Sequence, residues 1–252
     1  MDAVERIIGG LEKRTKVITE NEKNTIAFHE AGHAVVSWLV EFASPLVKVS
    51  IVPRGQSLGA AWYLPEERAI TTTEQIFDEM CAALGGRAAE EIMFGKISTG
   101  ALSDLEKVTK QAYSMVSIYG LNERIGNRSY YDSRGENSFT KPYSEETARI
   151  IDEEVSAVIE KAYDRAKDIL ATNRDKLEAL AQSLLDNEVI FKEDVERILG
   201  ARPFASAVPA LAAPVAEPTA DTSESTKTSD NAEAPENAEA TDSAPENPKE
   251  DA

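Results

Sequence analysis

The longest periodic segment of the chain ends near Val40, and its apolar positions recur with the spacing of an α-helix. These positions are Ile26, Ala27, Ala31, Ala34, Val35, Trp38 and Leu39. Because about 3.6 residues complete one helical turn, this spacing places the apolar side chains on one face. The pattern predicts a long helix that is capped by Asn21 or Asn24.

After residue 45 the pattern changes from helical to alternating. Val47, Val49 and Ile51 are separated by polar residues, which is typical of a strand with one buried face. A turn at 54–55 follows, and residues 58–64 predict a second short strand. The two strands are expected to form a hairpin or a small sheet.

The remaining patterned segments predict helices. A helix from about Thr73 runs toward Gly85 and Gly86, where the two glycines predict a break before it resumes. The other predicted helices have the approximate bounds 2–11, 103–119, 144–169, 176–185 and 192–199, and a polar loop spans 122–143. The predicted fold class is therefore mainly α (α+β), a helical domain with a small β-sheet.

Composition separates the end of the chain from the rest. No aromatic residue occurs from Ala205 onward, and seven of the eleven prolines lie at or after Pro203. A segment of this kind buries too little apolar surface to offset its ordering entropy. We predict a folded domain at 21–203 and a long disordered, acidic C-terminal tail at 204–252.

The net charge and the apolar runs exclude several classes of protein. The formal net charge is −18, whereas nucleic-acid binding requires a basic surface, so we expect no nucleic-acid partner. Cys81 is the only cysteine, which rules out an intrachain disulfide and predicts a small buried side chain. No run approaches the roughly 18 apolar residues of a membrane span, and the first residues do not resemble a signal peptide. The chain as given is expected to be soluble.

The five residues from His29 to His33 carry the chemistry. His29 and His33 are the only histidines, and four residues apart on a helix they lie on one face, where both imidazoles can reach one ion. Glu30 is offset around the helix, close to the ion but not bound to it, where a general base is needed. This pattern predicts one Zn2+ per chain, a water activated at neutral pH and hydrolysis of peptide bonds.

A catalytic zinc site needs a third protein ligand and one open position. The sequence has no further histidine and its single cysteine lies in an apolar run, so the third ligand must be a carboxylate. The main candidates are Asp104, Glu90 and Glu91, and Asp78 and Glu79 are weaker ones. Asp104 also fits an ordinary helix cap, and the glutamates also fit a solvated helix face. Spacing alone leaves the candidates tied.

The sequence resembles the peptidase domain of the FtsH-type ATP-dependent zinc metalloproteases, membrane-anchored hexamers of bacteria and organelles. The resemblance runs from about Asp2 to Phe204. The motifs that carry it are Phe28-His29-Glu30-Ala31-Gly32-His33-Ala34, Val52-Pro53-Arg54-Gly55, Gly85-Gly86-Arg87-Ala88-Ala89-Glu90-Glu91, Ser98-Thr99-Gly100-Ala101 with Asp104, and Glu146-Thr147-Ala148-Arg149. In that family the aspartate after the Thr-Gly-Ala turn is the third zinc ligand. The resemblance therefore implies that Asp104 completes the ligand set and gives Glu90 and Glu91 at most a supporting role.

The resemblance also carries expectations for a longer parent protein. Residues 1–20 are similar to the end of an ATPase module and its linker, and the family forms homohexamers that degrade unfolded or membrane proteins in quality control. The sequence itself holds no Gly-x-x-x-x-Gly-Lys-Ser/Thr phosphate loop and no membrane span. ATP use and membrane anchoring, expected in the bacterial inner membrane with this domain facing the cytoplasm, would therefore come from segments outside this sequence.

Two other classes of function, and one hypothesis on substrate binding, also arise from the sequence. The domain could be an oligomerising scaffold with a structural metal, although such a site needs no base at Glu30. Alternatively, the acidic tail could be an interaction arm, whereas we expect it to be dispensable for cleavage.

The first strand and its loop, Val47 to Gly55, are predicted to offer an edge to which an extended substrate adds as a strand.

Overall fold

The computed structural model describes residues 18–54, 57–64, 68–131 and 142–204. The predicted helix at 2–11, nearly all of the segment 1–20 and the tail after Phe204 lie outside the described residues. Much of the predicted polar loop at 122–143 lies outside them as well.

In the described ranges, six α-helices and three strands follow one another, and the mainly α (α+β) fold class is confirmed. The elements are α1 (Glu20–Leu39), β1 (Leu46–Ser50), β2 (Ala60–Tyr63), α2 (Thr73–Phe94), α3 (Leu102–Tyr113), α4 (Glu145–Thr172), α5 (Arg174–Asn187), β3 (Val189–Phe191) and α6 (Lys192–Leu199). A 3-10 turn at Thr99–Ala101 precedes α3, and a π-helical turn at Ser114–Ile118 follows it. Every helix in the described ranges is too short or too polar to cross a bilayer.

Helix α1 is the central helix of the domain. It begins earlier than predicted because Thr19, rather than Asn21 or Asn24, is its N-cap: the Thr19 hydroxyl accepts from the Glu22 backbone N–H, and the Glu22 carboxylate accepts from the Thr19 N–H. From residue 29 to residue 38 every side chain is buried. This half of the helix is therefore covered on all sides, and its buried residues include the motif's charged and ionisable groups.

Helix α2 packs against α1 through glycines. A Cβ at Gly32 would lie 2.3 Å from the Gly85 carbonyl oxygen, and one at Gly85 would lie 2.6 Å from the Gly32 carbonyl oxygen, so the helices cross in close backbone contact. The break predicted at Gly85 and Gly86 is wrong, because α2 continues through both residues to Phe94. The glycines allow close packing instead.

The three strands form an antiparallel sheet in the order β2-β1-β3. Val49 pairs with Ala61 on one side and with Ile190 on the other. The prediction that the first strand offers a free edge is therefore wrong, and the hairpin is extended by β3, a strand that the sequence pattern did not predict. The predicted single buried face is also wrong, since Lys48 and Ser50 are buried as well as Val49.

Helices α4, α5 and α6 cover the remaining core. Helix α4 begins as predicted, because the Ser144 hydroxyl accepts from the Thr147 backbone N–H. Its residues Ile151, Val155 and Ala162 are buried in the core cluster.

Candidate metal centre

His29 and His33 lie one turn apart on α1, as their spacing predicted. Their Nε2 atoms are 3.1 Å apart, and both side chains are largely buried. The Nδ1 of His33 donates to the Ala82 carbonyl oxygen at 2.9 Å. Because a carbonyl can only accept, this bond leaves the Nε2 of neutral His33 with a lone pair that faces the Nε2 of His29.

Asp104 is brought to the same point from a different element. It lies in the first turn of α3, and its Oδ2 is 3.4 Å from the Nε2 of His29 and 3.5 Å from the Nε2 of His33. Three ligands at zinc bond lengths in a tetrahedron are separated by about 3.3 Å. The three observed separations bracket that value, so these residues fit a single zinc ion.

The other candidate carboxylates are engaged elsewhere. Glu91 accepts a hydrogen bond from the Tyr163 hydroxyl. Asp78 accepts from Arg165 at 2.6 Å and from the Phe42 backbone N–H, and Glu79 accepts from Gln111. In the described structure, Asp104 is the one candidate whose carboxylate faces both Nε2 atoms.

Glu90 contacts His29 through its Nδ1, the ring nitrogen that does not face Asp104. Its Oε1 accepts from the Nδ1 of His29 at 2.7 Å, and the carboxylate also accepts from the backbone N–H and the hydroxyl of Ser98. A carboxylate on the far nitrogen of a metal-ligating histidine fixes the ring orientation and raises its basicity. This arrangement fits the supporting role that the resemblance allowed for Glu90, whereas Glu91 accepts a hydrogen bond from the Tyr163 hydroxyl.

Glu30 lies beside the cluster under the first residues of β2. It is only 7% exposed, and the backbone of Ala61 is close enough to stabilise its ionised form. A Cβ at Gly59 would lie 2.7 Å from the Glu30 Oε1, so glycine makes room for this carboxylate. Burial raises the pKa of Glu30, and His33 and His29 partly offset that rise. A raised pKa suits a group that must accept and return a proton near neutral pH.

The electrostatics of the cluster favour a cation. Burial by itself lowers the pKa of His29, but its hydrogen bonds with Asp104 and Glu90 outweigh that effect and raise the pKa to about 10. Burial raises the pKa of Asp104, and hydrogen bonds with His29 and His33 outweigh it, so that this pKa lies well below its usual value. The carboxylates of Asp104, Glu90 and Glu30 therefore surround the two imidazoles, and they stabilise a positive charge between them.

Helix α2 supplies the floor of the site at Gly86. A Cβ there would lie 2.5 Å from the Nε2 of His29 and 2.6 Å from the Nε2 of His33, closer than real Cβ contacts occur. The sequence pattern predicted a helix break at Gly86 and did not indicate this role, nor those of Gly59 and the Ala82 carbonyl. The adjacent glycines 85 and 86 were the only feature of the sequence that could have indicated such a role. A backbone carbonyl belongs to every residue, so the sequence cannot reveal which one bonds His33.

Comparison with known proteins is consistent with this geometry. The family model described as Peptidase family M41 matches residues 16–198. The chain is 64% identical over 207 residues to the ATP-dependent zinc metalloprotease FtsH of Parabacteroides distasonis, covering 82% of this chain and 30% of that protein. It is 54% identical over 206 residues to the FtsH of Rhodothermus marinus, covering 80% of this chain and 30% of that protein.

A mitochondrial protein is also similar. The chain is 51% identical over 204 residues to the mitochondrial inner membrane m-AAA protease component AFG3L1 of Mus musculus, covering 81% of this chain and 26% of that protein. The chain thus spans less than a third of the length of each of these relatives.

Proposed function

Because the chain belongs to peptidase family M41, we propose that it hydrolyses peptide bonds with one zinc ion held by His29, His33 and Asp104. Glu30 is the general base. The observation that supports this most is the convergence of the three ligand atoms within 4.8 Å of one another, with a buried carboxylate beside them. A structural zinc would call for a fourth protein ligand and for no base.

Each residue has a distinct task in the reaction. When bound, zinc lowers the pKa of a water molecule to about 7 and polarises the scissile carbonyl. Glu30 takes a proton from the attacking water and delivers it to the leaving nitrogen. The Asp104 side chain is 25% exposed and the histidine side chains are 10% exposed. The substrate therefore approaches from the side of Asp104.

The strand next to the site offers a way to bind an extended substrate. Strand β2 is an outer strand of the sheet, and the backbone of Ala61 is close enough to Glu30 to stabilise its ionised form. A peptide that adds to this edge passes directly beside the general base. Since strand addition recognises the backbone, it tolerates many sequences, as degradation of unfolded proteins requires.

The activity of a longer parent protein is part of the proposal. The names of the relatives describe ATP-dependent zinc metalloproteases and a component of a mitochondrial inner membrane protease. We propose that the parent of this chain unfolds its substrates with ATP, forms a homohexameric ring and acts in protein quality control. We also place the parent in the bacterial inner membrane, with this domain in the cytoplasm. ATP binding and membrane anchoring belong to segments outside this chain, and the substrates are unfolded or membrane proteins.

Zinc content and hydrolysis of casein or of a short peptide test the proposal, since neither substrate requires an unfolding step. We expect one zinc per chain in the wild type and in Glu30→Gln, and a loss of cleavage of at least about 100-fold in the variant. Glu91→Gln is the matched control, because it makes the same chemical change at a carboxylate that bonds Tyr163. Equal cleavage by wild type and Glu30→Gln would instead favour a structural metal, and a wild type without zinc would refute the proposal.

A further inference from the structure

Ser98 joins the segment that carries Asp104 to the residue that orients His29. Its hydroxyl donates to the Glu90 Oε1 at 3.0 Å, and its backbone N–H donates to the Glu90 Oε2 at 2.6 Å. The Glu90 Oε1 also accepts from the Nδ1 of His29 at 2.7 Å. Both oxygens of this carboxylate, which is only 2% exposed, are therefore held in place, and Ser98 supplies two of the three hydrogen bonds.

The same hydroxyl also holds the turn that leads to Asp104. The Ser98 Oγ accepts from the Gly100 backbone N–H at 3.1 Å, which caps the 3-10 turn at Thr99–Ala101. Helix α3 follows this turn directly, and Asp104 lies in its first turn. Because a hydroxyl has one proton to donate, its donor capacity is committed to Glu90 while it accepts from Gly100.

We propose that Ser98 is a positioning residue that couples the two sides of the metal centre through Glu90 and thereby raises its affinity for zinc. The inference rests on the proposed zinc function. The hydroxyl prevents Glu90 from rotating away from His29 and holds the Asp104 turn at a set distance from it. Residues that bond a metal ligand directly, as Glu90 bonds His29, typically contribute 10–100-fold to metal affinity, and Ser98 acts one step further from the metal through Glu90. Ser98→Ala keeps the backbone N–H bond to Glu90, so the loss is expected near the lower end of that range.

Zinc affinity is measured by chelator competition on the metal-free 252-residue chain. We expect zinc to bind about tenfold more weakly to Ser98→Ala than to the wild type. Ser98→Thr retains the hydroxyl at an exposed residue and should restore affinity to within about threefold. Ser103→Ala is the matched control, since it removes an exposed serine hydroxyl beside Asp104 and should leave the affinity unchanged.

A double-mutant cycle separates this role from simple capping of the turn. If Ser98 acts through Glu90, Ser98→Ala should cost less than about threefold in a Glu90→Gln background, because the coupling partner is already impaired. An equal cost in both backgrounds would reduce Ser98 to a turn cap and overturn the proposal. Wild-type affinity in Ser98→Ala, or no recovery in Ser98→Thr, would overturn it as well. Failure of the proposed function is distinct from these outcomes, since the wild type itself would then bind no zinc.

Discussion

Replacement of Gly86 by alanine should remove the metal without harming the fold. The added Cβ would lie 2.5 Å from the Nε2 of His29 and 2.6 Å from the Nε2 of His33, which are the proposed ligand atoms. An ordinary contact begins at 3.4 Å, so the Nε2 of His29 must move by about 0.9 Å and that of His33 by about 0.8 Å. Metal–ligand distances tolerate deviations of only about 0.2 Å.

Gly86→Ala should have opposite effects on the stability of the metal-free protein and on the binding of zinc. In the metal-free protein the imidazoles are the ends of rotatable side chains, so they can turn aside at the cost of distorting their Nδ1 hydrogen bonds. Alanine inside α2 also favours the helix by up to about 1 kcal/mol relative to glycine. With zinc the rings cannot swing away and still coordinate. We therefore expect zinc affinity to fall at least about 100-fold, which corresponds to about 3 kcal/mol.

Gly85→Ala is the contrasting variant one residue away. Its Cβ would lie 2.6 Å from the Gly32 carbonyl oxygen, which belongs to the backbone of α1 and cannot swing aside. This variant should unfold at a lower temperature in the absence of metal, whereas Gly86→Ala should unfold at an unchanged or slightly higher temperature.

Chelator competition for zinc and thermal unfolding in the presence of a chelator measure the two effects separately. Wild-type zinc affinity in Gly86→Ala would refute the proposed geometry of the centre. A strongly destabilised metal-free Gly86→Ala protein would show that Gly86 serves the helix crossing and not the site.

The other predictions concern the third ligand, the ion pair between Asp78 and Arg165, and substrate binding. Asp104→Ala should weaken zinc binding at least about 100-fold, whereas Glu91→Ala should leave it unchanged in the same competition assay, and equal losses would refute the choice between the two carboxylates. Asp78→Ala leaves the Arg165 guanidinium without its buried partner and should lower the free energy of unfolding by about 2 kcal/mol in urea denaturation, with zinc affinity unchanged. A peptide substrate with one N-methyl group at an amide that pairs with β2 should show a KM raised about tenfold relative to its unmethylated counterpart, and an unchanged KM at every position would exclude strand addition.

The local part of the site could be predicted from the chain alone. In any α-helix, residues four apart lie on one face, so the joint orientation of His29 and His33 needs no tertiary information. The position of Glu30 follows from the same periodicity. The start of helix α4 could also be predicted, because Ser144 caps it through a hydrogen bond from the backbone N–H three residues later.

The third ligand could not be predicted in this way. Glu90 and Glu91 are neighbours on α2 and point about 100° apart, and only the packing of α2 on α1 decides which of them meets His29. Asp104 lies on another helix again, and the resemblance to a family, rather than any spacing, selected it. The structure brings its carboxylate to the two imidazoles.

The sequence by itself therefore determined most of the helices in the described residues, the shared face of His29 and His33 and the place of Glu30 beside them, because short-range periodicity and capping depend on residues a turn apart. The tertiary structure alone decided that Gly86 forms the floor of the site, that β1 is paired on both sides and that Glu90 rather than Glu91 holds His29. Each of these depends on the distance between backbones far apart in sequence. For Gly86 and Glu90 these distances are set by the close crossing of α1 and α2 at Gly32 and Gly85, a contact that no local pattern encodes.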